Sequence, residues 1–343
     1  MTVQPLQGLE CWPTHHCVTG SLRHIYEFHG YPISEEMLLG LGSGVGFLYW
    51  HMKGTDPFFG GRANVARPGE EGLEKTAGKR TGVKVEVFRT NSPRKAETAL
   101  LEMVMAGEPV MIHVDMGFLP YLNLPAGYHF GQHLVVVAGY DAGRQEVLIA
   151  DRDGDLHPVS LEILAQARGS GFKPFPPMHT WYTFDFSAKR PTMAEEVRQA
   201  IREVANGMLE PPIANFGVEG IRTAAKRTLR WPQQMSETQL RAACINVFIF
   251  IDATGGTGGG IFRYMYGRFL GEAARLIGDA RLADVGEQML SIGDRWQEVA
   301  RIFKEAYAAP DPASALPQAT ALMRAISDME QATWTRLRST VAD

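Results

Sequence analysis

The pattern of apolar and polar positions divides the chain near residue 190. Before that point, short β-branched runs alternate with Gly and Pro, predicting strands at Val83–Arg89, Pro109–Val114, His133–Tyr140, Glu146–Asp151 and Thr180–Phe186. After it, apolar positions recur at helical spacing. Helices are predicted over Ala194–Asn206, Gly217–Thr228, Glu237–Asp252, Ile261–Ile277, Ala283–Ala309 and Ala313–Val341. Pro191 marks the junction, with Thr192 as the expected cap of the next helix, and Pro310 and Pro312 part the last two helices. Ser236 followed by Gln239 reads as a capping box, which makes the apolar run beyond it a helix rather than a strand. The expected organisation is an α+β domain over 1–188 and an all-α domain over 189–343.

Composition narrows the function classes. The chain has 343 residues, 45% of them hydrophobic and 21% charged, with a net charge of −4. That profile suits a soluble globular protein and lacks the basic face that a nucleic-acid or membrane-surface binder needs. No run approaches the roughly 18 apolar residues of a membrane span. The N-terminus has neither the basic start nor the apolar stretch of a signal peptide. Three cysteines, Cys11, Cys17 and Cys244, are too few and too scattered for a disulfide framework or a cysteine-rich zinc site. A cytoplasmic protein with free thiols is expected, and a homodimer is the default assembly.

The strongest local signal is the stretch from His133 to Asp151, two β-branched runs flanking Asp141-Ala-Gly-Arg144. It reads as a β-hairpin whose short loop sets His133 opposite or nearly opposite Asp151 on one face. A carboxylate beside an imidazole orients it, selects its tautomer and stabilises its protonated form. Cys17 supplies the nucleophile for such a pair. Pro13 and Thr14 give a helix start signal, and Val18, Leu22, Ile25 and Tyr26 form the apolar face of the helix that follows. In the first turn, unpaired amides and the helix dipole favour a thiolate and can stabilise an oxyanion. The order Cys17, His133, Asp151 is that of papain-like thiol enzymes. One departure stands out: where those enzymes place a Gln six residues before the nucleophile, this chain has Cys11.

Other motifs are weaker. Thr254-Gly-Gly-Thr-Gly-Gly-Gly260 fits neither the Walker nor the dinucleotide spacing. It is either a turn between helices or a loop whose amides, backed by Arg263, hold an anionic group. Arg263 and Tyr264, at the start of the next helix, are candidates for a substrate carboxylate or a phosphopantetheine phosphate. Asp151, Asp153 and Asp155 alternate as in a calcium loop, but Leu156 stands where that loop needs Gly, so no metal is expected.

The chain also resembles the butirosin biosynthesis protein H family of acyltransferases. The resemblance rests on His16-Cys17, Gly40 to Phe47 with Tyr49, Gly60-Gly-Arg62, Val114-Asp115 with Leu119-Pro-Tyr121, and His133 to Asp151. In the second half it rests on Gly258 to Arg263, Phe269-Leu270 and Trp296. It implies a thiol acyltransferase in which Cys17 is the nucleophile, His133 the base and then acid, and Asp151 the orienting group. Asp115 and Tyr121 match family positions and are expected either to bind the acceptor or shape the site, or to hold the turn they flank. The donor would be a thioester on an acyl carrier protein or coenzyme A, with no other cofactor, and the acceptor an amine of a small natural-product molecule. The helical domain would serve as lid and substrate platform. Two alternatives stay open: an amidase or peptidase using the same triad, and a non-catalytic binding protein on the same fold.

Overall fold

The computed structural model describes residues 3–52, 55–65, 71–125, 127–173, 175–254 and 259–342. In chain order the elements are α1 (Cys17–Phe28), α2 (Glu35–Leu41), β1 (Val45–Trp50), β2 (Phe58–Arg62), α3 (Gly72–Thr81), β3 (Lys84–Phe88), α4 (Pro93–Met105), β4 (Val110–Val114), β5 (His133–Asp141), β6 (Glu146–Ala150), β7 (Leu156–Ser160), α5 (Leu161–Gly169) and β8 (Trp181–Asp185). Seven helices follow: α6 (Ala194–Leu209), α7 (Gly217–Thr228), α8 (Trp231–Gln234), α9 (Glu237–Ile251), α10 (Gly259–Ile277), α11 (Arg281–Ala308) and α12 (Leu316–Thr340). The mixture is α+β, as the pattern predicts. Among the described residues no helix is long and apolar enough to cross a membrane.

The chain forms two compact units. The first joins Met1–Leu38 to Thr81–Pro191, and the second joins Leu39–Arg80 to Thr192–Asp343. The crossover at 191/192 lies beside the expected boundary, but 39–80 groups with the helical residues rather than with 1–188. The reason is apolar burial. Phe47 of β1 stacks on Trp296 of α11 with ring centroids 5.4 Å apart, and Phe59 of β2 lies edge-on to Trp231 at 6.3 Å. Gly40 sits flush against the Phe269 ring, where any Cβ would collide.

The first unit is built on a six-stranded antiparallel sheet ordered β3-β8-β4-β5-β6-β7. On one face Leu100 and Val104 of α4 and Leu164 and Ala167 of α5 cluster with Ile112, Val114, Val135, Val137 and Ile149. Leu134 and Val136, which point the other way, are equally buried, and α1 packs on β5. Burial on both faces explains why β5 reads as a continuous apolar run rather than an alternating one. Strand β7 escaped the sequence pattern because Pro158 interrupts it; proline is tolerated there because β7 is an edge strand.

The helical unit packs Trp231, Trp296, Trp334, Phe262, Phe269 and Phe303 into its core, all fully buried. Its starts are mostly where the pattern predicts. Ser236 Oγ accepts the Gln239 amide at 3.3 Å, and Gln239 Oε1 accepts the Ser236 amide at 2.9 Å, forming the expected box. Helix α6 differs: its N-cap is Met193, not Thr192, because Glu196 reaches back to accept the Met193 amide at 3.1 Å.

Candidate active site

Cys17 is the first residue of α1, with His16 as N-cap in extended geometry. The segment before it is stitched to the sheet. Thr14 N donates to the Arg152 carbonyl at 2.8 Å, and Pro13 bridges Asp153. Thr14, expected as the start signal, instead lies over Gly20, whose missing side chain leaves it room. This pairing extends β6 past Asp151 and lays the start of α1 beside the triad.

His133 and Asp151 meet, though not as directly opposed residues. The β5–β6 loop is Ala142–Gln145, with Gln145 at φ 53°, and the register shifts between Val137 and Gly139. Val136 therefore faces Ala150 and Val137 faces Ile149. Continuing that register sets Asp151 against Val135, two residues from His133 on the same face, a diagonal that His and Asp side chains span. His133 Nε2 donates to Asp151 Oδ2 at 2.7 Å, and both residues are almost wholly buried. With Nε2 so engaged, Nδ1 is the ring nitrogen left for the Cys17 thiol, and the two residues lie close enough to shift each other's titration.

The electrostatics suit a thiolate–imidazolium pair. Burial pushes the Cys17 thiol up, but the His133 hydrogen bond and charge, the Leu134 amide and Arg152 together bring it below the ordinary thiol value. Burial likewise pulls His133 down, yet Asp151 and the Cys17 sulfur outweigh it and raise it to about 9. Asp151 is held down at about 2, against its own burial, by His133, Arg152 and Tyr121. The other two thiols behave oppositely. Burial and Asp153, Asp155 and Asp151 push Cys11 up to about 11, and burial pushes Cys244 up to about 12. All three cysteines are free. Cys11, at the expected Gln position, donates its thiol to the Asp155 carbonyl at 3.4 Å.

Tyr121 joins the His133–Asp151 pair. Its hydroxyl donates to Asp151 Oδ2 at 2.9 Å, and its ring stacks on His157 with centroids 3.9 Å apart. It orients the carboxylate rather than presenting a free hydroxyl to an acceptor. Asp115 is fully buried, and its oxygens accept from Gly117 N and Phe130 N at 3.0 Å, His129 Nδ1 at 3.0 Å and Ser170 Oγ at 2.5 Å. Four donors saturate it, so it knits the loop after β4 to Ser170 and offers no oxygen to a substrate.

Arg263 and Tyr264 belong to the helical unit and are engaged there. Arg263 is fully buried; Nε and Nη2 donate to Glu330 at 3.0 and 2.7 Å, and Nη1 donates to the Gly46 carbonyl at 2.8 Å. The expected anion contact is thus met by Glu330, 67 positions on in the sequence. Tyr264 donates to Asp294 at 2.6 Å. Residues 255–258 of the glycine-rich segment lie outside the described residues. Asp153, weighed as a metal ligand, accepts from His157 at 2.9 Å.

One residue near Cys17 carried no signal in the sequence. Glu35 opens α2 and is 1% exposed, and its carboxylate binds the segment that carries Cys17. The run Ser34-Glu35-Glu36 looks like any acidic first helical turn, so only the fold reveals this role.

Two family models match the sequence. Residues 16–152 match the model described as butirosin biosynthesis protein H, N-terminal, a span that opens one residue before Cys17 and closes one after Asp151. Residues 162–337, more than half of the chain, match a domain of unknown function, DUF4872. No curated protein matches the chain. With Cys17, His133 and Asp151 inside the first match and the long C-terminal helices inside the second, the chain belongs to the butirosin biosynthesis protein H-like family, an N-terminal domain of that type followed by a DUF4872 domain.

Proposed function

We propose that this protein is a cysteine-dependent acyltransferase of antibiotic-type secondary metabolism, moving an acyl group from a carrier-protein or coenzyme A thioester to an amine. The observation that carries the reading is the buried His133–Asp151 pair at 2.7 Å, with the Cys17 thiol at the start of α1 close enough for His133 to lower its pKa. The family match supports the biosynthetic setting.

The Cys17 thiolate attacks the donor carbonyl, forming a carbon–sulfur bond and an oxyanion. When the oxyanion collapses, the donor thiolate leaves and takes the proton from His133. The acceptor amine then attacks the acyl-Cys17 carbonyl and gives a proton to His133, now neutral. The amide departs, and the thiolate–imidazolium pair is restored. Exchange between thioesters is nearly balanced, while formation of the amide runs downhill.

The test is intact-mass spectrometry of wild type and Cys17→Ala after incubation with a panel of acyl-pantetheine thioesters. A gain of one acyl group on wild type alone, discharged by added amines to an amide, is the expected result. An adduct discharged by water and not by amines would replace the reading with a hydrolase. No adduct, together with slow alkylation of Cys17, would replace it with a binding protein.

A further inference from the structure

The start of α1 has an acceptor that its own sequence does not provide. Glu35 Oε1 accepts the His16 amide at 2.6 Å and the Thr19 hydroxyl at 2.9 Å. Its Oε2 accepts the His15 amide at 2.8 Å and contacts His15 Nδ1 at 3.3 Å. Because the Thr19 hydroxyl proton goes to Glu35, the Thr19 oxygen accepts from His16 Nδ1 at 3.1 Å, which fixes the ring flanking the nucleophile. Burial pushes the Glu35 carboxyl up, but His15, the two amides and Thr19 outweigh it and keep it ionised.

A helix start leaves its first amides without intrahelical partners. Here Glu35 takes the amides of His15 and His16, and the Gly20 amide makes the first helical bond to the His16 carbonyl at 2.8 Å. The amides of Cys17, Val18 and Thr19 have no acceptor among the described residues. A carboxylate with room for four donors has therefore stopped at the residue before the nucleophile. The donors left over are the nucleophile's own amide and the next two.

We infer that Glu35 is a positioning residue for the reaction proposed above: by clamping the two amides that precede Cys17, it holds the Cys17 amide open and aimed for the oxyanion of the acyl-transfer step. The inference rests on Cys17 being the nucleophile. Cys11, at the Gln position, is engaged with the Asp155 carbonyl and does not supply that donor.

Two reactions of the same sulfur separate this role from a merely structural one. Alkylation by iodoacetamide needs a thiolate but no oxyanion hole. Acylation by p-nitrophenyl acetate, in which the thiolate bonds the acetyl carbon and p-nitrophenolate leaves, needs both. The groups that lower the thiol are His133, the Leu134 amide and Arg152, and Glu35 binds none of them. In Glu35→Gln one acceptor oxygen becomes a donor facing donors. The acylation burst is expected to slow about 100-fold, with alkylation within about 2-fold of wild type. Thr19→Val leaves both clamped amides in place and is expected to slow acylation less, about 10-fold, since only the hydroxyl link is lost. It gives the same contrast should Glu35→Gln fail to fold. Equal falls in acylation and alkylation would make the role structural and overturn the inference, as would no change in either. A burst that persists in Cys17→Ala would instead remove the nucleophile assignment, and the inference with it.

Discussion

Each unit buries a charged cluster, and the two differ in what is left unfilled. In the helical unit Glu330 meets four donors: Arg263 Nε and Nη2, and the indole nitrogens of Trp296 and Trp334, each at 3.0 Å. Arg263 spends its remaining nitrogen on the Gly46 carbonyl, and both ions are fully buried. Neither group has capacity to spare. In the sheet unit Asp151 accepts from three donors, His133, Tyr121 and the Arg152 amide, and the half-buried Cys17 sulfur couples to His133. A saturated network can only hold a shape, whereas one that ends in an incompletely coordinated thiolate can exchange a proton and form a bond.

The comparison breaks most sharply at its reactive end. Cys17→Ala is expected to abolish the acyl adduct seen by intact mass while leaving the melting temperature near that of wild type. Asp151→Asn removes the charge that holds His133 in its protonated form, and acyl transfer is expected to fall about 10³–10⁴-fold. The sign of its pH effect follows from the same charge. His133 lies near 9 because of Asp151, so wild-type activity should hold up to about pH 9 and then decline as the imidazolium is lost. In Asp151→Asn that basic limb should move to lower pH, measured as the pH dependence of acyl transfer.

At the saturated cluster the expected effect is on folding. Glu330→Ala strands the Arg263 charge and two indole donors, and should cost about 3–5 kcal/mol in denaturant unfolding. The Cys17 alkylation rate, measured where the variant remains folded, should be unchanged. Tyr121→Phe gives the smallest effect. Asp151 keeps His133 and the Arg152 amide, so acyl transfer should fall by a few-fold, consistent with a loss of about 1 kcal/mol for one hydrogen bond. A Tyr121→Phe variant as impaired as Asp151→Asn would mean that the hydroxyl, rather than His133, governs the carboxylate.

Acid stability follows from the Asp151 shift. A carboxyl held at about 2 when folded and near 4 when unfolded adds stability above pH 4. That contribution disappears between about pH 4 and pH 2. Equilibrium unfolding of wild type against Asp151→Asn across that window should show the two converging as pH falls.

The places of Cys17, His133 and Asp151 in the fold were legible because each sits at the end of an element with a strong local signal. Cys17 opens an amphipathic helix, and His133 and Asp151 close the open end of a hairpin. The pairing register was not, because a four-residue loop and a shift near Ala138 move it, and neither carries a compositional mark. Helix α7 runs over the predicted residues because its start and stop are local events. The membership of 39–80 was hidden, since aromatic residues on β1 and β2 are equally at home in either unit until their partners are known. Arg263 invited an anion-binding reading from the glycines before it, and its carboxylate lies on a different helix.

Local periodicity and capping thus determined, from sequence alone, the α+β class, most elements and the three residues of the candidate centre, because these depend on neighbours a few positions away. Tertiary structure decided which unit the segment 39–80 joins, that Asp115 and Arg263 are saturated, that Tyr121 bonds Asp151 and that Glu35 reaches the start of the Cys17 helix. Each of those outcomes is the pairing of a buried polar or aromatic group with a partner distant in the chain. Desolvation makes such a pairing obligatory, but only the folded chain says with whom.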